Sequence, residues 1–464
     1  MNSKWKSFGL AATGILLSTI DSSALGVALP IVSSDFGLSV DRAALVITIY
    51  QLTLTSLVLT AARVAEAWGF RRAYLTGYGL FFIGSLFSTL SFNLASLVTA
   101  RFVQALGASF LLAVNPALVA SAFGPEERGK GLGLIGGTVG LGLIIGPLVG
   151  GLLTGALGWR SIFWVNLPIS LLGIFASTRI LPKQARQRIS LGWSNLFWVF
   201  TVFCFMNFLS LLPWAHGNLA LYLLAAGFLA CLAIFLYFEK GENPLVGFEL
   251  YRRSPFLLGI LALFLCYATL FSATFLAPFY LHQVLGEEPF QIGRVMSAIP
   301  LAVMLVAPVS GRLSDRLGNR WISAAGLLIL ATGVFSLIRL STDSTPLNVA
   351  ESLVLVGVGT AIFQSPNSNS IMASVPPARM ATAAGMIATM RNLGMAFGVA
   401  LSSALFVFWQ KKYAASSADI SFVSSFRNVF KITGWLAVVG ILVSLVRGRI
   451  LYSANSSPAA PPVS

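Results

Sequence analysis

Apolar runs of about 18–26 residues, each long enough to cross a bilayer with tilt, recur along the whole chain and alternate with short polar and basic segments. They fall at 8–31, 44–62, 73–91, 96–121, 130–155, 161–180, 194–213, 219–238, 254–281, 292–311, 321–340, 349–372, 382–408 and 431–452. The pattern predicts an all-α polytopic membrane protein with 14 transmembrane helices. The even number places both termini on one side of the membrane. Residues 409–430 are predicted to lie outside the bilayer. Phe422, Val423, Phe426, Val429 and Phe430 recur there at helical spacing, so an interfacial helical hairpin and a solvated loop both fit.

Composition agrees with this reading. Hydrophobic residues make up 56% and charged residues 10%, with mean hydropathy +0.84, against about 25% charged for a soluble domain. The net charge of +15 is spread over short loops, which is topology signalling and excludes nucleic-acid binding. With the N-terminus in the cytoplasm, 20 Lys/Arg lie on that side, counting Lys4, Lys6, the even-numbered loops, Arg447 and Arg449. The other side receives 8: Arg42, Arg160, Arg294, Arg339, Lys411, Lys412, Arg427 and Lys431. The expected setting is the plasma (inner) membrane with both termini cytoplasmic. Lys4 and Lys6 precede the first span without a small-residue cleavage site, so this span reads as a retained helix. Cys204, Cys231 and Cys266 sit in apolar runs as small packing residues, and the tail 453–464 is of disordered composition. Two histidines, His216 and His282, are too few for a metal site, and no phosphate-binding Gly-rich loop is present. No cofactor, no metal and no enzymatic activity are expected.

The chain repeats itself. Glu66-Ala-Trp-Gly69-Phe-Arg71 recurs as Asp315-Arg-Leu-Gly318-Asn-Arg320 at an offset of 249, and Asn115-Pro116 as Ser365-Pro366 at an offset of 250. Pro125-Glu-Glu-Arg128 recurs one residue shifted as Pro376-Pro-Ala-Arg379. A near-constant offset predicts two homologous halves, 1–190 and 246–452, flanking two inserted helices at 191–245 and followed by the tail.

Among the 15 acidic residues, Asp21 lies deep in an apolar run. Such a carboxylate is costly in hydrocarbon, so it is expected to face a cavity and a partner and to exchange a proton reversibly; a neutral aspartate satisfied by a neighbouring helix is the alternative. Arg101 is the candidate partner. Asp21 lies about 15 Å from the outer end of its span, and Arg101 falls in the same outer half. Polar and aromatic side chains within spans are candidates for a substrate wall: Tyr50, Gln51, Gln104, Asn115, Tyr267, Phe271, Phe275, Gln364, Asn367 and Arg391. Packing between helices is the competing role. Gly311, Asp315, Arg316, Gly318 and Arg320 place an acid and several bases around a helix end, a pattern able to latch two helices. Their counterparts Glu66, Gly69, Arg71 and Arg72 carry fewer bases. Finally, Gly142, Gly146 and Gly150, with Pro147 and Gly151, form a smooth stripe on which a neighbouring backbone can pack closely.

That glycine stripe continues into Trp159-Arg160-x-x-Phe163-x-x-Asn166-x-Pro168. The combined pattern resembles the antiporter signature of the major facilitator superfamily, in particular its fourteen-helix drug:proton antiporter branch. Leu97-xxx-Arg101-xx-Gln104-xx-Gly107 resembles the fourth-helix motif, with Ala105 where glycine is usual. The stretch Asp21–Pro30 resembles the first-helix motif, with Ser-Ala-Leu-Gly-Val in place of Thr-Ile-Val-Asn-Val. The loop Gly311–Arg320 resembles the cytoplasmic gating motif, whereas the first-half loop departs from it at Ala62, Glu66, Ala67 and Phe70. The resemblance implies two six-helix bundles that rock about a central cavity. It also implies a monomer that antiports protons, through Asp21 and Arg101, against small amphipathic molecules. With Arg391 as a second buried cation, neutral, zwitterionic or anionic cargo is expected over dications. Export of one metabolite (an amino acid, a lipid or a siderophore) on the same fold, and a non-transporting receptor or scaffold, are the alternatives.

Overall fold

In the computed structural model, residues 3–184, 192–211, 219–241, 250, 252–376 and 379–455 are described, and among them every regular element is a helix. The first group comprises α1 (Ser3–Asp35), α2 (Val40–Trp68), α3 (Phe70–Thr89), α4 (Leu94–Leu157) and α5 (Ser161–Ile180). An inserted pair follows, α6 (Trp193–Leu211) and α7 (Leu219–Phe238). The second group is α8 (Ser254–Gln283), α9 (Pro289–Met296), α10 (Ala298–Leu317), α11 (Asn319–Ser336), α12 (Pro346–Ala373), α13 (Met380–Lys412) and α14 (Ala418–Asn455).

All fourteen predicted spans fall on helix. Twelve segments are long and apolar enough to cross a membrane, and α3 and α6 complete the set. Two connections differ from the sequence reading. Spans four and five share one 64-residue run of helical backbone, α4. The chain nevertheless reverses within it, because Gly131 comes back against Val119 and Phe123. Likewise, α14 begins at Ala418, thirteen residues before the predicted last span. Within 409–430 the turn at 413–417 and its flanks are exposed, as a connection requires, but the five apolar positions at helical spacing are core: Phe426 and Phe430 are fully buried, and Phe426 stacks on Tyr280 with centroids 4.9 Å apart. Their helical spacing reflected burial against α8 and α13, and the polar Ser/Asn/Arg positions between them hid it.

The 249-residue offset recurs in backbone geometry. Gly69 and Gly318 both take φ +85° at the joint between consecutive helices, where a side chain would be strained. Gly77 packs on Gly107 and Leu111 as Gly326 packs on Gly359 and Phe363.

Packing is asymmetric along the long axis. One large apolar core is shared by both groups: Ala28, Val32, Ala44 and Phe163 join Phe275, Leu276, Ile292 and Phe426. This is the end carrying the connections at 36–39, 158–160, 284–288 and 413–417. Towards the other end the groups keep separate cores. One is built on Leu10, Tyr74, Leu111 and Val119. The other is built on Phe256, Ile260, Ile371 and Ala383, with Trp198 and Phe235 of the inserted pair and Leu52 of α2. The bundle is therefore fused at the first end and divided into two cores at the second, where α2 still packs on α13, Leu59 lying against Gly385.

Candidate functional site

Asp21 is fully buried halfway along α1, and two helices point three donors at it. Arg101 of α4 gives Nη1–H to Oδ2 at 2.5 Å. Oδ1 accepts from Gln104 Nε2 at 2.9 Å and from Asn166 Nδ2, on α5, at 2.6 Å. Gln104 also donates to Ser85 Oγ of α3 at 2.9 Å and accepts from Arg101. The three-residue step from Arg101 to Gln104 puts both on one face of α4. Gly84 lets α3 approach: a methyl there would sit 2.6 Å from the Gln104 Cα. The guanidinium lies 4.2 Å over the Tyr50 ring and 5.7 Å from Phe163, so aromatic faces cover the charge where no acid does. Among the described residues this is the ion pair with both members wholly buried.

The predicted pairing of Asp21 with Arg101 is thus present, with additions the sequence did not supply. Asn166 stands in the sequence only as part of a motif, and Ser85 carries no signal there beyond its polarity. The pair is closed off, too: no atom of either carboxylate oxygen or guanidinium reaches an open vestibule in this conformation, as the exposures of 0% and 1% require.

Of the proposed substrate wall, some members line the seam between the groups and some do not. Gln51 reaches from α2 to Met395 of α13 at 3.9 Å and to Ser22 at 3.5 Å. Its Oε1, the Tyr50 hydroxyl and the Thr389 hydroxyl are buried without a partner among the described residues. Arg391 is half-buried beside the Tyr267 hydroxyl, with Phe271 one turn further along α8; Phe275 is buried in the shared core against Phe279, and Gln364 is half-buried on α12. Asn115 instead accepts from Tyr74 inside the first group, and Gln104 belongs to the Asp21 network. Asn367 is spent inside the second group, donating to Gly259 O at 3.2 Å and accepting from Arg447. These three fill the packing role that in-span polar residues also serve, because their own bundle offers a nearer partner than the seam does.

Arg447 is a correction to the charge count. It was placed among the cytoplasmic loop cations, yet it is 1% exposed within α14, with Nη2 unpartnered. Its position near the end of an apolar run made it look like a flanking residue. The other buried acid among the described residues is Glu239, just beyond α7.

The glycine stripe behaves as its spacing requires. Gly142, Gly146 and Gly150 face α1: added methyls would meet Thr19 at 2.8 Å, Ser23, and the Ala24 Cα at 2.6 Å. On the adjacent face, Gly151 abuts the Pro289 carbonyl and Gly293 abuts the Pro147 carbonyl, so α4 also closes onto α9 of the second group. Nearby, Asp35 accepts from Trp159 Nε1 at 3.0 Å and Arg160 at 3.1 Å, while Arg160 donates to Ser91 O at 2.9 Å. This ties the ends of α1, α3 and α4 together at the fused end.

At the divided end, Gly69 and Gly318 shape the two loops, and Gly311 lies against Ser365. Arg320 stacks over Trp321 at 4.9 Å. The side chains of Asp315 and Arg316 lie outside the described residues. Among those described, no ion pair joins Glu66 to Arg71 or Arg72. Glu66 is solvent-exposed, so among the described residues the first loop shows no charged latch through its acid.

A multi-pass helical bundle with polar groups orphaned along an internal seam, and a buried ion pair beside it, has the build of a membrane transporter. Comparison with known proteins then supplies the family. The model of the Major Facilitator Superfamily matches residues 11–399, and the chain belongs to that superfamily. It is 31% identical over 451 residues to the riboflavin transporter RibZ of Clostridioides difficile, covering 96% of this chain and 98% of that protein. It is also 31% identical over 411 residues to the multidrug resistance protein Stp of Mycobacterium tuberculosis, covering 86% and 76%. Among solved structures, a bacterial homologue of the human lysosomal transporter Spinster, in an inward-facing and unoccupied conformation, superposes with TM-score 0.71 at 14% identity, covering 98% of this chain and 99% of that one.

Proposed function

We propose that this protein is a proton-coupled exporter of small amphipathic compounds in the plasma membrane, with both termini cytoplasmic. The carrying observation is the Asp21–Arg101 pair, buried where α1, α4 and α5 meet. With Asp21 ionised, its carboxylate holds three helices together. A proton on it weakens the bond to Arg101 and frees the guanidinium to seek Tyr50 and Gln104, which changes the relative energy of the two bundle arrangements. With the termini cytoplasmic, the fused end, where Gly151 and Gly293 meet, lies on the outer side, and this supports reading the arrangement as the cytoplasm-open state of an alternating-access cycle.

Cargo would bind along the seam, where Tyr50, Gln51 and Thr389 present unpartnered polar atoms and Tyr267 and Phe271 present rings. Arg391 beside that seam, with no acid paired to it among the described residues, favours neutral, zwitterionic or anionic compounds over dications. A second reading is favoured by the relative that spans nearly the whole chain: a single planar heteroaromatic metabolite of the riboflavin type as the physiological cargo.

The test is transport in proteoliposomes carrying a lumenal pH dye. An outward proton gradient should be dissipated by neutral or anionic aromatic compounds, and Asp21→Asn should abolish that flux while the protein still inserts. Robust proton flux in Asp21→Asn, or transport confined to dications, would sink the reading. Response to riboflavin alone would select the second.

A further inference from the structure

A pocket of about 320 Å³ opens at the divided end, lined by Trp68, Gly69, Arg71, Arg72, Leu75, Lys183 and Gln184. Three cations converge on it from two parts of the chain: the start of α3 and the segment after α5. No acid lines the pocket, and none of the three is in an ion pair among the described residues. Arg72 and Lys183 are exposed and Arg71 is half-buried, so the recess offers its positive charge to a ligand arriving from solvent.

The backbone adds to the charge. Gly69 adopts φ +85° as the chain turns directly from α2 into α3, and Gln184 packs over it. Gln184 Oε1 accepts from the Phe70 amide at 2.7 Å, which satisfies one of the free amides of the first turn. The amides of Arg71 and Arg72 follow in that turn, have no acceptor within the helix, and sit at the positive end of its dipole. Two guanidiniums that can grip oxygens in pairs, an ammonium and a helix N-terminus around one recess make a receptor for a phosphate group.

We propose that this pocket binds the phosphate of an anionic phospholipid headgroup or of a free phosphate compound. The site lies at the end of membrane-spanning helices, and Trp68 and Leu75 add apolar lining beside the cations for the glycerol portion of a lipid. It is separate from the Asp21 network, so it stands or falls independently of proton coupling.

The experiment uses the full-length protein in detergent. Melting is followed while short-chain phosphatidylglycerol, short-chain phosphatidylcholine or inorganic phosphate is titrated in, which yields an apparent affinity for each. Phosphatidylglycerol should bind more tightly than phosphatidylcholine. Lys183→Gln should weaken the former about fivefold, Lys183→Arg should restore it, and Lys412→Gln, on an exposed cation at the other end, should change nothing. Stabilisation by millimolar inorganic phosphate that displaces the lipid would assign the site to a soluble phosphate source. Equal affinity for the two lipids with no effect of phosphate, or a Lys183→Gln curve that overlays the parent, would overturn the proposal. A folded Lys183→Gln protein is verified by its unchanged melting point in phosphatidylcholine.

Discussion

Consider removing the charge of Asp21 alone. The carboxylate accepts from Arg101 at 2.5 Å, from Asn166 at 2.6 Å and from Gln104 at 2.9 Å. In Asp21→Asn one of its oxygens becomes an NH2 group. Turned one way, that group confronts the amide donors of Gln104 and Asn166; turned the other way, it confronts Arg101. In both, Arg101 is left with its charge, 1% exposed and without a counter-ion. Removing one member of a buried pair costs about 3–5 kcal/mol, and Arg101→Gln strands the carboxylate in the same manner. The double variant Asp21→Asn, Arg101→Gln buries no net charge and can close a ring of neutral hydrogen bonds. It should therefore recover part of the loss, with a coupling of about 1–3 kcal/mol. The assay is denaturant or thermal unfolding of all four proteins in one detergent at a fixed scan rate, with near-native helicity checked first. If the double variant is destabilised by the full sum of the two singles, the pair is not an energetic unit and the reasoning fails. Transport should be lost in all three variants, so stability rather than activity carries this test.

Three further outcomes follow from packing. Gly150→Val should lower the melting point, because a methyl there already lies 2.6 Å from the Ala24 Cα, whereas Gly155→Val, whose methyl would meet only Pro289 at 4.0 Å, should not; equal melting points would mean that α1 and α4 do not rely on the stripe. Phe426→Ala should cost about 3–5 kcal/mol by leaving a cavity between Tyr280 and Phe430. Phe408→Ala, at a residue 52% exposed, should stay within about 0.5 kcal/mol, and similar losses for both would return 409–430 to the surface. Arg447→Met should be near neutral or stabilising, since it removes a buried cation that holds a single side-chain partner, while Asn367→Leu should be strongly destabilising because it strands that cation. Unfolding curves ordered the other way would show that Arg447 earns its burial through a partner not yet identified.

Much of this architecture could be read along the chain, because a bilayer imposes its thickness on every crossing and a glycine stripe keeps its spacing whatever it packs against. The number of spans, the 249-residue offset, the smooth face at Gly142, Gly146 and Gly150, and the match of Asp21 to Arg101 all arise from one-dimensional rules of length, periodicity and the expense of charge in hydrocarbon. Where those rules are indifferent, the reading went astray. Hydropathy does not distinguish lipid from protein as the apolar neighbour, so the start of α14 looked like a loop until Tyr280 and Phe406 were seen against it. A cation near a helix end has the same local sequence whether it reaches water or, like Arg447, turns inward to Asn367.

The tertiary fold alone decided which polar side chain serves which partner. Asn166 lies 145 residues from Asp21 and is brought to it only by the crossing of α1 and α5. Asn115 and Asn367 look equally available for a substrate, yet each is consumed by a hydrogen bond within its own bundle. Sequence determined which residues had to be hidden from lipid, through free energies of transfer that belong to each side chain by itself. Only the folded chain determined what they were hidden against, because hydrogen bonds and ion pairs depend on angstrom distances between segments that share no local signal.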